Sequence, residues 1–497
     1  MKRILLLFLL FSFVCVHAQE ENIFLKREFW KANPSISEIK ENIQKGHDPT
    51  AKDQFSFDAV SYAIIDNVAT ESIKYLLTLE GNPVTKPTHG GVTYLLWATY
   101  KGNLEVMRHL LSLGADPNFK TSRGTNMLLM AAIGGVTNTA VYDLILAQGI
   151  PVDYTNESGA NALLLLSGST LKDHSIFEYF IKKNVPTYVT DADGNNLFFY
   201  AARGGAIDAM KFWQEKGVPF DYTNTKGENA VLFASQGMKR RALRLEVFKY
   251  LSEELQLEID IVSNQGETPL HLAARRATPE LLEFFMTNGV SANQVDENGN
   301  TALINAAFGA KENLEKIASK TNQINHRNHK GESALTMAIK RNSKENFDFL
   351  IANRADYTIV DKAGNDLMYH AFKSYSTRRG EASQYIIETL QAKGILGAKK
   401  YKDGNTLAHI AVEENSDFLL KKAIELGVDL NQKNDINLSP LHLAAMKATD
   451  TKLIAILVAN GADKNIRTDF NESPYDMALQ NELLEKEKTD LALLKIQ

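Results

Sequence analysis

The 497-residue chain repeats itself, and that constrains its fold more than any other feature. A glycine or asparagine recurs at positions 91, 124, 159, 194, 227, 266, 299, 331, 364, 404, 437 and 471, at intervals of 32 to 40 residues. Nothing between the first and last anchor is left over. Seven residues after the anchors stand Ala98, Ala131, Leu166, Ala201, Ala234, Ala273, Ala306, Ala338, Ala371, Ala411, Ala444 and Ala478. Eleven of these twelve are alanine, which marks a place where neighbouring helices meet with no room beyond Cβ. An apolar residue follows four after the anchor, as at Leu95, Leu128, Phe198, Leu270 and Leu303. Segments such as Leu110 to Asp116 and Leu457 to Asp463 close their units with a glycine placed to end a helix. Asn184 and Arg354 hold the equivalent place. Asparagine tolerates the left-handed conformation; Arg354 implies strain or a different ending. Length alone would suggest about three globular domains, but a period of this size predicts stacked units instead. Each unit reads as turn, short helix, turn, longer helix, and an extended stretch to the next turn.

Gly266-Glu267-Thr268-Pro269-Leu270-His271-Leu272-Ala273-Ala274 resembles the ankyrin repeat, whose period is about 33 residues and whose marker is T-P-L-H-x-A. The resemblance covers roughly residues 28–497 and implies an all-α repeat solenoid of about 13–14 helix-turn-helix units joined by short hairpin-like turns. The expected organisation is a signal peptide at 1–18, a divergent N-terminal capping repeat at 19–55, the array at 56–470 and a C-terminal capping repeat at 471–497. In the last of these, a charged second helix is expected over 482–496. Two units exceed the period, around Gly237 to Ala242 and around Ser374 to Gly380, both after the first helix and both basic.

Lys2 and Arg3 precede thirteen uncharged residues, Ile4 to Val16. As a helix that run spans about 20 Å, short of the ~30 Å hydrocarbon core. Val16-His17-Ala18 fits a cleavage site before Gln19, so a secretory signal peptide is expected, with export to the periplasm or medium of a bacterium and no stable membrane insertion. Cys15, the one cysteine, does not sit in a lipidation motif and lies in the removed segment. Cleavage also removes two of the basic residues, moving the net charge from −5 to −7. The mature chain then has neither a disulfide nor a thiolate metal site.

The sequence contains no H-E-x-x-H, no phosphate-binding loop, no G-x-S-x-G and no dinucleotide fingerprint. By the resemblance, His271 and His442 belong to the repeat marker and hydrogen-bond across turns of the backbone. His326 and His329 lie in a turn beside Arg327 and Lys330, which disfavour a cation. No catalytic residue, cofactor or metal is therefore expected. The resemblance instead implies a concave face, built from first helices and turn tips, that binds other proteins. Positions nine and ten after the anchor are expected to be exposed there. Between 194 and 380 they are largely basic, in a chain that is acidic overall. The candidate partner-binding residues are Arg203, Arg275, Arg276, Phe308, Lys340, Arg341 and Lys373, with Lys239, Arg240, Arg241, Arg378 and Arg379 from the two insertions. They fit a partner with an acidic surface. An equally available role for these side chains is to complement helix C-termini. The expectation is a monomeric, non-enzymatic protein-binding scaffold. The alternatives are an accessory or inhibitor of a periplasmic or secreted enzyme and, remotely, an enzyme using the array as a substrate platform. Net acidity and export argue against nucleic acid.

Overall fold

The computed structural model describes residues 21–171, 173–239, 241–486 and 490–495. Residues 1–18, where a signal peptide is expected, and Arg240 lie outside these residues. Among the described residues there are fourteen α-helix pairs and no strand longer than isolated bridges such as Val295 with Thr301. The fold is the expected all-α repeat solenoid. It divides into two compact units, one holding the residues up to Ala201 with Asp208–Val218, the other Ala202–Ile207 with Pro219 onward.

In the first unit the pairs begin with Arg27–Lys31 and Ile36–Gln44, then Ala59–Ile65 and Thr70–Leu77, then Tyr94–Lys101 and Leu104–Ser112. In the second, Pro269–Ala273 and Pro279–Thr287 are followed by Ala302–Ala306 and Lys311–Ala318, then by Ala334–Arg341 and Lys344–Ala352. Many first helices start where they do because they are capped two residues after their anchor. Asn126, Asn161, Asn229, Thr301, Asp366, Ser439 and Ser473 each accept a main-chain N–H of the first turn on a side-chain oxygen. The alanines seven after the anchor are buried, Ala306 and Ala338 completely. Arg354 does adopt the left-handed conformation, with φ +64°, as does Asn184 at +62°.

The turns are built by a device the sequence reading did not identify. Three residues before the anchor, a short polar side chain folds back over the turn. Asp296 accepts the main-chain N–H groups of Asn298 and Asn300 at 2.9 and 2.7 Å. Asn328 does the same for Lys330 and Glu332, both at 3.0 Å, and Asp361 for Ala363 and Asn365. Successive turns are then joined by main chain alone. The N–H of Glu297 donates to Gln265 at 2.7 Å, that of His329 to Asn298 at 2.8 Å, and that of Lys362 to Lys330 at 2.8 Å. This joint explains the anchor glycines. Gly299 and Gly331 have φ of +75° and +82°, and a Cβ there would stand 2.9 Å from the main-chain nitrogens of His329 and Lys362. An L-residue would be strained and would push the next turn away.

The insertions differ from each other. The first leaves non-helical residues at 236–239 and 241–244, and the following helix Leu245–Lys249 continues through Tyr250–Glu254 with π geometry. The second adds a 3-10 turn, Thr377–Arg379, and lengthens the second helix to Gly380–Ala392. The continuous helix expected over 482–496 is not formed. Among the described residues the helix covers Glu482–Lys486, residues 490 and 491 are not helical, and a 3-10 turn, Ala492–Leu494, starts where Asp490 accepts the N–H of Ala492 at 2.8 Å.

Candidate functional site

His271 and His442 hydrogen-bond across turns as expected, and His409 does so too. In each, Nδ1 accepts a main-chain N–H from the capping residue, Thr268, Ser439 or Thr406. A nitrogen that accepts from an N–H carries no proton, so the proton sits on Nε2 and donates to a carbonyl of the next turn. Those acceptors are Asn300 at 3.1 Å, Glu472 at 3.3 Å and Leu438 at 2.9 Å. Burial depresses the pKa of all three rings. A native pKa below the unfolded value means the unfolded chain binds more protons. Stability is then fully present above the unfolded pKa of about 6.5 and is lost as pH falls from there through the native values. The melting temperature is expected to fall between pH 7 and 5, and a His271, His409 and His442 triple glutamine variant to flatten that slope. An unchanged slope would show that these rings are not titrating against the fold.

A second recurrent contact braces the first helix against its turn. The residue six after the anchor reaches the one three before it. Examples are Trp97 Nε1 to Thr88 Oγ1 at 2.8 Å, Tyr200 Oη to Asp191 at 2.9 Å, and, ahead of the first anchor at the same nine-residue spacing, Tyr62 Oη to Asp53 at 2.6 Å; a further one is His370 Nε2 with Asp361 at 3.1 Å. The last sits in the one group of three metal-ligand-type side chains found among the described residues. Ligand atoms of Glu332, Asp361 and His370 lie within 4.8 Å of one another. Lys340 is ion-paired to Glu332 there, so an ammonium already supplies the positive charge. Burial and the Lys340 charge hold the His370 pKa down. Burial works to raise Asp361, yet the Asn365 amides and His370 keep it below the usual carboxylate range.

The candidate binding residues separate into three groups. Most spend their charge inside the array. Arg203 donates to the carbonyl of Gly237 at 3.2 Å and lies 5.2 Å over the Phe233 ring. Arg276 donates to the carbonyl of Gln236, Arg241 to Gly204 at 3.3 Å, and Arg379 to Arg341 at 2.6 Å. These carbonyls lie at or just past the ends of first helices, where cations complement the dipole. Lys373 pairs with Glu414 at 2.8 Å and Glu413 at 3.5 Å; burial works to lower its pKa, but the two carboxylates carry it above the ordinary value. Lys239, Arg341 and Arg378 are exposed.

Arg275, Phe308 and Lys340 come together. They line a groove of about 550 Å³ between the turn tips and first helices of the units anchored at 266, 299 and 331. Asn298, Asn305, His329 and Lys330 complete its rim and floor. The Arg275 guanidinium lies 4.9 Å over the half-buried Phe308 ring, a cation–π arrangement. Turn tips were expected on the binding face, but Asn298, His329 and Lys330 were not among the named candidates. The reading also missed a run of rings in the first unit, where Phe57 stacks on His89 at 4.6 Å and on Tyr62 at 5.2 Å.

Comparison with known proteins agrees with the fold. A sequence model of ankyrin repeats in three copies matches residues 31–121 and 241–328, and a single-repeat ankyrin model matches 437–469. The chain is similar to the B-cell lymphoma 3 protein homolog of Mus musculus, 27% identical over 206 residues, covering 40% of this chain and 44% of that protein. It is 28% identical over 213 residues to the nuclear factor NF-kappa-B p105 subunit of Gallus gallus, 42% of this chain and 18% of that protein. It also matches an L-asparaginase of Dirofilaria immitis at 25% over 178 residues, 36% of this chain and 29% of that protein. The chain thus spans less than half the length of these curated relatives. Ankyrin repeats are thus matched near the start, middle and end of the chain, and a similar helix pair recurs between the matched segments.

Proposed function

We propose that the chain is a non-enzymatic, monomeric protein-interaction scaffold, exported from the cytoplasm, that captures a partner with an acidic surface on its first-helix and turn face. One observation carries this reading: Arg275, Phe308 and Lys340, chosen from repeat position alone, line a single groove. The turn carboxylates that an enzyme would need are engaged as clips and braces, as Asp296, Asp361 and Asp191 are. Export rests on the basic start and uncharged run of residues 2–16. Rigid stacked units present many contacts with little ordering cost on binding.

The test uses the mature chain as bait in extracts of the cell envelope. One partner protein captured reproducibly, and released by added salt as exposed charges are screened, is the expected result. Capture that survives salt unchanged would remove the electrostatic part of the proposal. Co-purification of a single active enzyme would favour the accessory or inhibitor role.

A further inference from the structure

We propose that the groove between the units anchored at 266, 299 and 331 binds an extended acidic peptide segment in which carboxylates alternate with an apolar side chain. The inference rests on the scaffold reading above and narrows it from a strip of twelve residues to one site. Three observations carry it.

The first is which cations remain available. Arg203, Arg276 and Arg379 are tied to main-chain carbonyls, Lys373 to Glu413 and Glu414, and Lys340 to the buried Glu332. Arg275 and Lys330, by contrast, line the groove and make no ion pair among the described residues. Arg275 is exposed and held over Phe308 rather than against Glu267, eight residues before it. The units at 227 and 331 do close that same spacing, Glu228 with Gln236 at 2.7 Å and Glu332 with Lys340. Burial and the neighbouring Asp296 and Glu228 push the Glu267 carboxyl up, with Lys226 working the other way.

The second is the character of the walls. Glu332 is the one carboxylate that lines the groove, and Lys340 neutralises it. The exposed amide of Asn298 and the half-buried amide of Asn305 line the same space. A primary amide offers both a donor and an acceptor, which suits the main chain of an extended peptide. A guanidinium matches a carboxylate in a bidentate plane.

The third is the apolar part. Phe308, Ile304 and Met337 lie on the groove's helix side. One face of Phe308 is covered by Arg275, so the groove offers an apolar edge rather than a platform for stacking bases. A volume of about 550 Å³ is in the range of ligand clefts and holds about four residues.

The experiment measures fluorescence anisotropy of a fluorescein-labelled hexapeptide alternating glutamate and leucine with the full mature chain. Saturable binding is expected, weakened at least about tenfold when glutamine replaces glutamate. The Arg275→Glu, Lys330→Glu double variant should lose binding by a similar factor with its circular dichroism and melting intact. The Lys320→Glu, Lys421→Glu variant, equal in charge change but outside the groove, should retain it. Equal affinity for the glutamine peptide overturns the inference, as does full binding by the double variant. So does a single-stranded oligonucleotide that binds as tightly through the same two residues. If the peptide fails while the full chain still captures a partner from the envelope, the groove chemistry is wrong and the scaffold reading stands.

Discussion

Replacing Ala306 by Asp is expected to cost about 4 kcal/mol of stability, because a carboxylate would be buried without a partner where helices meet. Ala306 is fully buried, and its helix Ala302–Ala306 packs between Pro269–Ala273 and Ala334–Arg341. No cation lies in that helix, whose sequence is ALINA. In a repeat array each unit contacts its neighbours only, so the damage should remain near the substitution. Hydrogen exchange should show lost protection in those three helices and retained protection in Ala59–Ile65, which lies in the other compact unit. Uniform loss along the chain would mean the array unfolds as one cooperative block. Unchanged protection near 306 would mean the residue does not sit at a helix junction.

The second large effect is at Asp58. Its carboxylate is fully buried and serves four groups at once. It accepts the N–H and hydroxyl of Ser61 at 2.9 and 2.8 Å, capping Ala59–Ile65, and the hydroxyl of Tyr94 at 2.5 Å. It also pairs with Lys86 at 3.0 Å, whose side chain is only 11% exposed. Asp58→Ala removes the cap and leaves a nearly buried ammonium, with only the Thr50 carbonyl and the Asn82 amide oxygen to hold it. Breaking one side of such a pair costs about 3–5 kcal/mol. Urea unfolding of the first-unit signal should report that loss, and Asp58→Asn, which keeps an acceptor for Ser61, should recover part of it. A loss under about 1 kcal/mol for the alanine variant would mean that Lys86 and Tyr94 re-pair elsewhere.

What could be read from the sequence was what each unit repeats within itself. The glycine at 299, the cap at Thr301 and the alanine at 306 answer to local backbone geometry, so their spacing carries the information. The contacts between units were harder. Arg276 and Arg379 looked like exposed charge, but whether a guanidinium reaches solvent or a carbonyl depends on what the preceding unit places within its reach. The clip at Asp296 was legible in principle, since a short polar residue stands three before many anchors. Val295 to Gly299 can be read as turn formers, but not which main-chain N–H groups the Asp296 side chain accepts. The groove was half legible: Arg275, Phe308 and Lys340 follow from the period, whereas Asn298, His329 and Lys330 enter only because successive turns stand in contact.

The joint between successive turns has a consequence for how such a chain can change over generations. Gln265, Asn298 and Lys330 each give the next turn a carbonyl oxygen, and Glu297, His329 and Lys362 each give back an N–H. Neither atom depends on which side chain the residue carries. The tips can therefore accumulate substitutions without loosening the stack, while glycines such as Gly299 and Gly331 beside them cannot. Scaffold and specificity are inherited through different atoms of the same few residues, so a lineage could exchange one partner for another while its fold stays under unaltered selection.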